Sequence, residues 1–125
     1  MKIKQLDHLV LTVNDIDISV DFYQRVLGMT KVIFAGHRVA LKFGQQKINL
    51  HELGSEFEPK AQVAIPGSAD LCFVSDSPVQ EAMQQVESCG VEILEGPVMR
   101  TGAMGEVTSF YFRDPDGSLI EVCCY

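Results

Sequence analysis

Leu6-Asp7-His8-Leu9-Val10-Leu11-Thr12-Val13 reads as a β-strand, because β-branched and apolar residues fill it. A helix follows. Asp15 or Asp17 can cap it, Val20, Tyr23, Val26 and Leu27 recur at helical spacing, and Gly28 ends it in the usual left-handed position. The same order then returns. Ala69-Asp70-Leu71-Cys72-Phe73-Val74 is again a strand. Ser77 is placed to cap the next helix, with Pro78 at its first position and Gln80 completing a capping box. Val79, Ala82, Met83 and Val86 form its apolar stripe, and Gly90 ends it. His8 to Gly28 spans the same interval as Asp70 to Gly90. Helices are therefore expected over about Asp17–Leu27 and Pro78–Cys89.

Three strand-like segments follow each helix. They lie near Lys31–Phe34, Val39–Phe43 and Lys47–Glu52 in the first half, and near Val91–Glu95, Val107–Phe112 and Ser118–Cys124 in the second. Gly44-Gln45-Gln46 and Asp114-Pro115-Asp116-Gly117 are the turns before each last strand. Ile48-Asn49-Leu50 then corresponds to Ile120-Glu121-Val122, at a longer offset than His8 to Asp70. The second half thus carries an insertion, expected as a loop over Gly96–Glu106. Gly54–Gly67, with Pro59 and Pro66, is the expected linker. The fold class is α+β: one domain over residues 1–125, made of two βαβββ modules at about 1–60 and 61–125. Each half alone could be a plain α+β unit with hairpins; the repetition of capped helix and terminal glycine in step is what argues for duplication.

The composition suits one globular domain. Of 125 residues, 46% are hydrophobic and 22% charged, enough apolar content for a core without disulfides. Cys72, Cys89, Cys123 and Cys124 form no C-x-x-C pair, so reduced and mostly buried thiols are expected. A net charge of −7, with no Lys/Arg cluster, argues against a nucleic-acid partner. Neither a signal-peptide pattern nor a membrane span is legible, so a cytoplasmic location without a membrane partner is expected.

The repeat makes certain polar residues equivalent. His8 matches Asp70 on the first strands, and Asn49 matches Glu121 on the last. All four interrupt apolar strand segments, where an unpartnered buried polar group costs about 1–3 kcal/mol. Alternation could simply turn Glu121 outward, and His8 alone reads more readily as a hydrogen-bonded histidine than as a ligand. As a set, imidazole and carboxylate groups on equivalent strands are what a divalent ion requires. His51 shares the face of Asn49 and is the better ligand of the two; Asn49 could instead be a hydrogen-bond partner. Arg100, in the stretch Arg100–Glu106, reads either as a carboxylate-binding residue on a mobile loop or as plain surface. Cys72 reads as packing, one step out of phase with Asp70, while His37 and Lys60 carry no role.

His8-Leu9-Val10, Asp21-Phe22-Tyr23, Leu27-Gly28-Met29 and above all Phe112-Arg113-Asp114-Pro115-Asp116-Gly117 followed by Ile120-Glu121 resemble the vicinal-oxygen-chelate superfamily of glyoxalase I, bleomycin-resistance and extradiol-dioxygenase proteins. Ile48–Glu52, Glu56–Ala61 and Gly96–Ala103 resemble its glyoxalase-domain-containing members. The resemblance implies paired βαβββ units around a cleft, one divalent metal ion (nickel, zinc, iron or manganese), a small oxygenated substrate and a homodimer. It implies metal ligands among His8, His51, Asp70 and Glu121, with Glu121 also catalytic and Asn49 and Arg100 binding substrate. His8 and Glu121 would then converge, within one chain or across the dimer. Glyoxalase I of this family usually has His, Glu, His and Glu at the ligand positions; here they read His8, Asn49, Asp70 and Glu121. The implied activity is a glyoxalase I-like isomerisation. The alternatives are another metalloenzyme of the same scaffold, such as a dioxygenase, thiol transferase or epimerase, and a metal-free module that sequesters drugs.

Overall fold

The computed structural model describes all 125 residues, in two compact units, Met1–Pro66 and Gly67–Tyr125. The first contains β1 (His8–Val13), α1 (Ile16–Leu27), β2 (Thr30–Phe34), β3 (Arg38–Phe43) and β4 (Gln46–Glu52). The second contains β5 (Asp70–Val74), α2 (Val79–Ser88), β6 (Glu95–Gly102), β7 (Gly105–Arg113) and β8 (Leu119–Cys124). Each unit is therefore βαβββ. Each sheet has four strands, ordered β1-β4-β3-β2 and β5-β8-β7-β6. The first and last strands of each unit pair in parallel, and the remaining neighbours are antiparallel. No helix is long and apolar enough to cross a membrane.

In the first unit the helix covers one face of the sheet. Val20, Tyr23 and Val26 of α1 are buried, as are Leu11, Val13, Leu41, Ile48 and Leu50 of the strands. Asp15 caps the helix by accepting from the Ile18 N–H at 3.0 Å, and Glu52 accepts from the Ile16 N–H at 3.1 Å. Two carboxylates thus satisfy otherwise orphaned donors at the positive end of the helix. Glu52 has the strand parity of Ile48 and Leu50, which fixes theirs as the helix-side face. Gly28 closes α1 at φ 67.

In the second unit Val86 of α2 is buried, with Phe110, Phe112, Ile120 and Val122 on the strands. The start of α2 departs from the expected capping box. The cap position is Pro78, and no side chain caps the first turn. Ser77 lies one residue too early, and its own N–H donates to Ser75 Oγ. The expected strand at Val91–Glu95 is also displaced. The Leu94 N–H still donates to the Tyr111 carbonyl at 2.8 Å, but β6 itself is Glu95–Gly102. The inserted residues are consequently not a loop. They lengthen a hairpin in which Thr101 faces Glu106 and Gly102 faces Gly105, so Arg100 stands on a strand.

The turn between β7 and β8 shows why Asp-Pro-Asp-Gly is needed. Asp114 is buried, and its Oδ1 accepts from the Asp116 and Ser118 N–H groups, each at 2.9 Å. The Gly117 N–H donates to the Asp114 carbonyl. This turn sets where β8 begins, and hence the register of Glu121. Gly96 has the second special demand: at φ 124, an added Cβ would fall 2.5 Å from Phe110 Cβ and 2.8 Å from the Ser109 carbonyl oxygen.

Three substitutions test this framework by urea denaturation. Asp114→Ala should lower stability by about 2–3 kcal/mol, because hydrogen bonds to a charged acceptor are lost. Gly96→Ala should cost at least about 2 kcal/mol through overpacking against backbone. Gly28→Ala, where nothing lies within 4 Å, should cost only about 1 kcal/mol of left-handed strain.

Candidate active site

Strand register decides which polar side chains share a face. In the first unit His8 pairs with Lys47, Val10 with Asn49 and Thr12 with His51. His8, Asn49 and His51 therefore occupy the face opposite α1. In the second unit Asp70 pairs with Leu119 and Cys72 with Glu121. Asp70 and Glu121 therefore occupy the face opposite α2. Asn49 stands two residues beyond the partner of His8, and Glu121 two beyond the partner of Asp70. The equivalence of the four positions holds residue by residue in the hydrogen-bonded ladders.

Their surroundings differ. His8 is exposed, and its Nδ1 lies 2.7 Å from Asp7 Oδ2, leaving Nε2 available. Asn49 is buried, and its Oδ1 has no hydrogen-bond partner. An unpaired buried oxygen at that position is a ready acceptor for a ligand or an ion. His51 is buried, with Nε2 only 3.2 Å from Nη2 of Arg38. Arginine can only donate, so Nε2 is the acceptor and the ring proton sits on Nδ1. Desolvation chiefly, then the Arg38 charge, lowers the His51 pKa and keeps the ring neutral. A lone pair committed to a guanidinium, beside a positive charge, is poorly placed for a cation. Asn49 thus offers the free oxygen on this strand, and His51 belongs to Arg38.

In the second unit Glu121 is half-buried within a polar row. Tyr111 faces it across β7 and β8, and Glu95 faces Tyr111 across β6 and β7. Arg100 Nε donates to the Tyr111 hydroxyl at 3.0 Å, and Arg100 Nη2 donates to Glu95 Oε1 at 3.1 Å. Desolvation raises the Tyr111 pKa first and the Glu121 charge adds to it, while the bond from Arg100 opposes. Tyr111 is therefore a protonated phenol beside a carboxylate. The Arg100 pKa is raised, chiefly by its hydrogen bond to Tyr111.

Cys72 corrects the sequence reading. It lies two residues after Asp70, in phase with it, and is exposed beside Glu121. Desolvation, then hydrogen bonding and charge from Cys123 and Glu121, push its thiol up to about 12. At neutral pH it is therefore a protonated thiol rather than a thiolate. All four cysteines are free, but only Cys123 is buried. Tyr111 was missed for a similar reason: its role depends on facing Glu121 across a ladder, although period-two counting along β7 and β8 would have found it.

Neither unit gathers three or more His, Cys, Asp or Glu side chains into a metal-binding group. Each supplies two donors at equivalent places, His8 with Asn49 and Asp70 with Glu121. The donor types suit a borderline divalent ion, and the orphaned Asn49 oxygen fits a ligand role. The residues thus fit a metal in chemistry, with two donors in each unit.

Residues 5–122 match the model of the Glyoxalase/Bleomycin resistance protein/Dioxygenase superfamily. An integron cassette protein from the mobile metagenome of V. cholerae is 64% identical, with a TM-score of 0.99 over 100% of this chain and 98% of that one. Virulence protein STM3117 of Salmonella typhimurium is 54% identical over the whole chain, covering 87% of that protein. Glyoxalase domain-containing protein RDO1 of Mycosarcoma maydis is 52% identical over the whole chain and 70% of its own length. With the duplicated βαβββ architecture, these matches establish that the chain belongs to the Glyoxalase/Bleomycin resistance protein/Dioxygenase superfamily.

Proposed function

We propose that the chain is a metal-dependent, glyoxalase I-like enzyme that isomerises a small oxygenated substrate, with a thiol adduct of a 2-oxoaldehyde as the leading candidate. The observation that carries this reading is the register: His8 with Asn49, and Asp70 with Glu121, stand at matching ladder positions on the face opposite each helix. His8, Asp70 and Glu121 are the proposed ligands, with the Asn49 oxygen completing the set or orienting substrate. A bound divalent ion would supply a Lewis acid for the two adjacent substrate oxygens and the negative charge that develops on them.

The protein's own groups do the rest. Glu121 is the base that takes a proton from one carbon and returns it to its neighbour. Tyr111 holds a phenolic proton beside that carboxylate, and Arg100, tied to Glu95, fixes the phenol. Arg100 is exposed and retains donors for an anionic substrate group. A homodimer is proposed on family resemblance, and sedimentation at micromolar concentration should find two chains. A second reading, a metal-free module that holds a small ligand, is favoured by Asn49 standing where a carboxylate ligand is usual and by the aromatic surroundings of Arg38.

Glu121→Gln separates the two. Glutamine keeps the shape but loses the charge and the capacity to accept a proton. With methylglyoxal and glutathione, turnover should fall by about 10²–10⁴-fold or more, the range for a lost general base. Metal content should fall as well, with the thermal midpoint of the metal-free protein unchanged. Equal metal content and equal activity in the variant would remove Glu121 from the site. Loss of metal without wild-type turnover on this substrate would retain the ion and discard the glyoxalase reaction.

A further inference from the structure

We propose that the first unit carries an oxyanion site, built on Arg38 and Lys47, that binds the carboxylate or phosphate group of a small molecule. It is independent of whether His8 and Glu121 hold a metal.

The site begins with a hairpin. Phe34 ends β2 and pairs with Arg38 at the start of β3. Between them Ala35 and Gly36 both take positive φ, 49 and 85, and Ala35 is the one non-glycine residue of the chain to do so. The strained turn holds Phe34 and Arg38 opposite each other. The Arg38 guanidinium carbon then lies 5.2 Å from the Phe34 ring centre and 4.5 Å from that of Phe57. His51 accepts one of its N–H groups at 3.2 Å. Lys47 Nζ sits 3.8 Å from the Phe34 ring centre. Two half-buried cations are thus fixed by aromatic faces and a neutral imidazole.

Neither cation has a carboxylate partner, although the chain has a net charge of −7. The ion pairs join Asp7 to His8, Asp21 to Arg25, Glu56 and Glu58 to Lys60, and Glu95 to Arg100. Glu56, whose charge reaches His51, is already engaged: one oxygen accepts from the Gly54 N–H and the other faces Lys60. Lys42 faces Lys47 across β3 and β4, a like-charge pair that an isolated sheet disfavours. In a protein rich in acidic side chains, a half-buried guanidinium held by neutral groups leaves its remaining N–H donors for an anion from solution. The guanidinium fork suits two oxygens of one carboxylate or phosphate, and the lysine adds charge. His51 is a positioning residue here, holding the fork in place.

The test is an NMR titration of the full-length protein with acetate, inorganic phosphate or chloride at constant ionic strength, following the Arg38 Nε–H and the β3 and β4 amides. Acetate, phosphate or both should give saturable shifts, with Kd on the order of 1–10 mM, while chloride should not. Response to acetate alone identifies a carboxylate site, and to phosphate alone a phosphate site. Arg38→Met should weaken binding at least about tenfold, and Lys47→Met about three- to tenfold, with circular dichroism unchanged. If Arg38→Met does not fold, Arg38→Lys and Lys47→Met carry the comparison, since a point charge replaces the fork in the first. Non-saturating shifts for both oxyanions, or affinity unchanged in the folded variants, would overturn the site.

Discussion

The parallel pairing of first and last strands governs each unit. A strand sends successive side chains to opposite faces, and a one-residue slip would exchange them all. Register therefore does two tasks at once in β1–β4 and β5–β8. It directs Leu11, Ile48 and Leu50, or Ile120 and Val122, toward the helix-side core. The same alternation directs His8, Asn49, Asp70 and Glu121 to the other face. The polar set cannot drift without exposing the core, so packing energy secures its placement on that face.

Two local devices pin that register. In the first unit Glu52, at the end of β4, reaches the N-terminus of α1 and ties strand to helix. In the second, the buried Asp114 closes the turn that launches β8. Hydrogen bonds to charged acceptors are among the stronger polar contacts, which suits residues that set geometry several positions away. The longer β6–β7 hairpin then brings Arg100 and Glu95 to Tyr111, extending the polar row beside Glu121. The shorter β2–β3 hairpin instead delivers Phe34 and Arg38. The repeat is shared in architecture, while the two open faces carry different chemistry.

Much of this was legible in the chain. Helical periodicity, Gly28 and the Asp-Pro-Asp-Gly turn announce local structure, and spacing aligned His8 with Asp70 and Asn49 with Glu121. Four features were harder to see. Pro78 displaces Ser77 from the cap, because a proline just before a helix can itself occupy that position. The glycines and proline from Gly96 to Gly105 look like loop punctuation, yet a long antiparallel partner holds that segment extended. Cys72 and Tyr111 become informative only beside Glu121, through cross-strand contact. His51 is the subtler case: it shares the face of Asn49, as expected, but its partner Arg38 comes from the neighbouring strand and changes what its nitrogen can do.

The metal-dependent reading rests on the donor pair that each unit offers, and elemental analysis addresses it directly. Untagged protein, purified without chelator, should retain close to one equivalent of nickel, zinc, iron or manganese per chain. Adding that metal after stripping should raise the thermal midpoint in proportion to the logarithm of its concentration, as binding to the native state requires. Protein with no bound metal, and a thermal midpoint indifferent to all four ions, would contradict the metalloenzyme and leave a duplicated fold that binds its ligand without one.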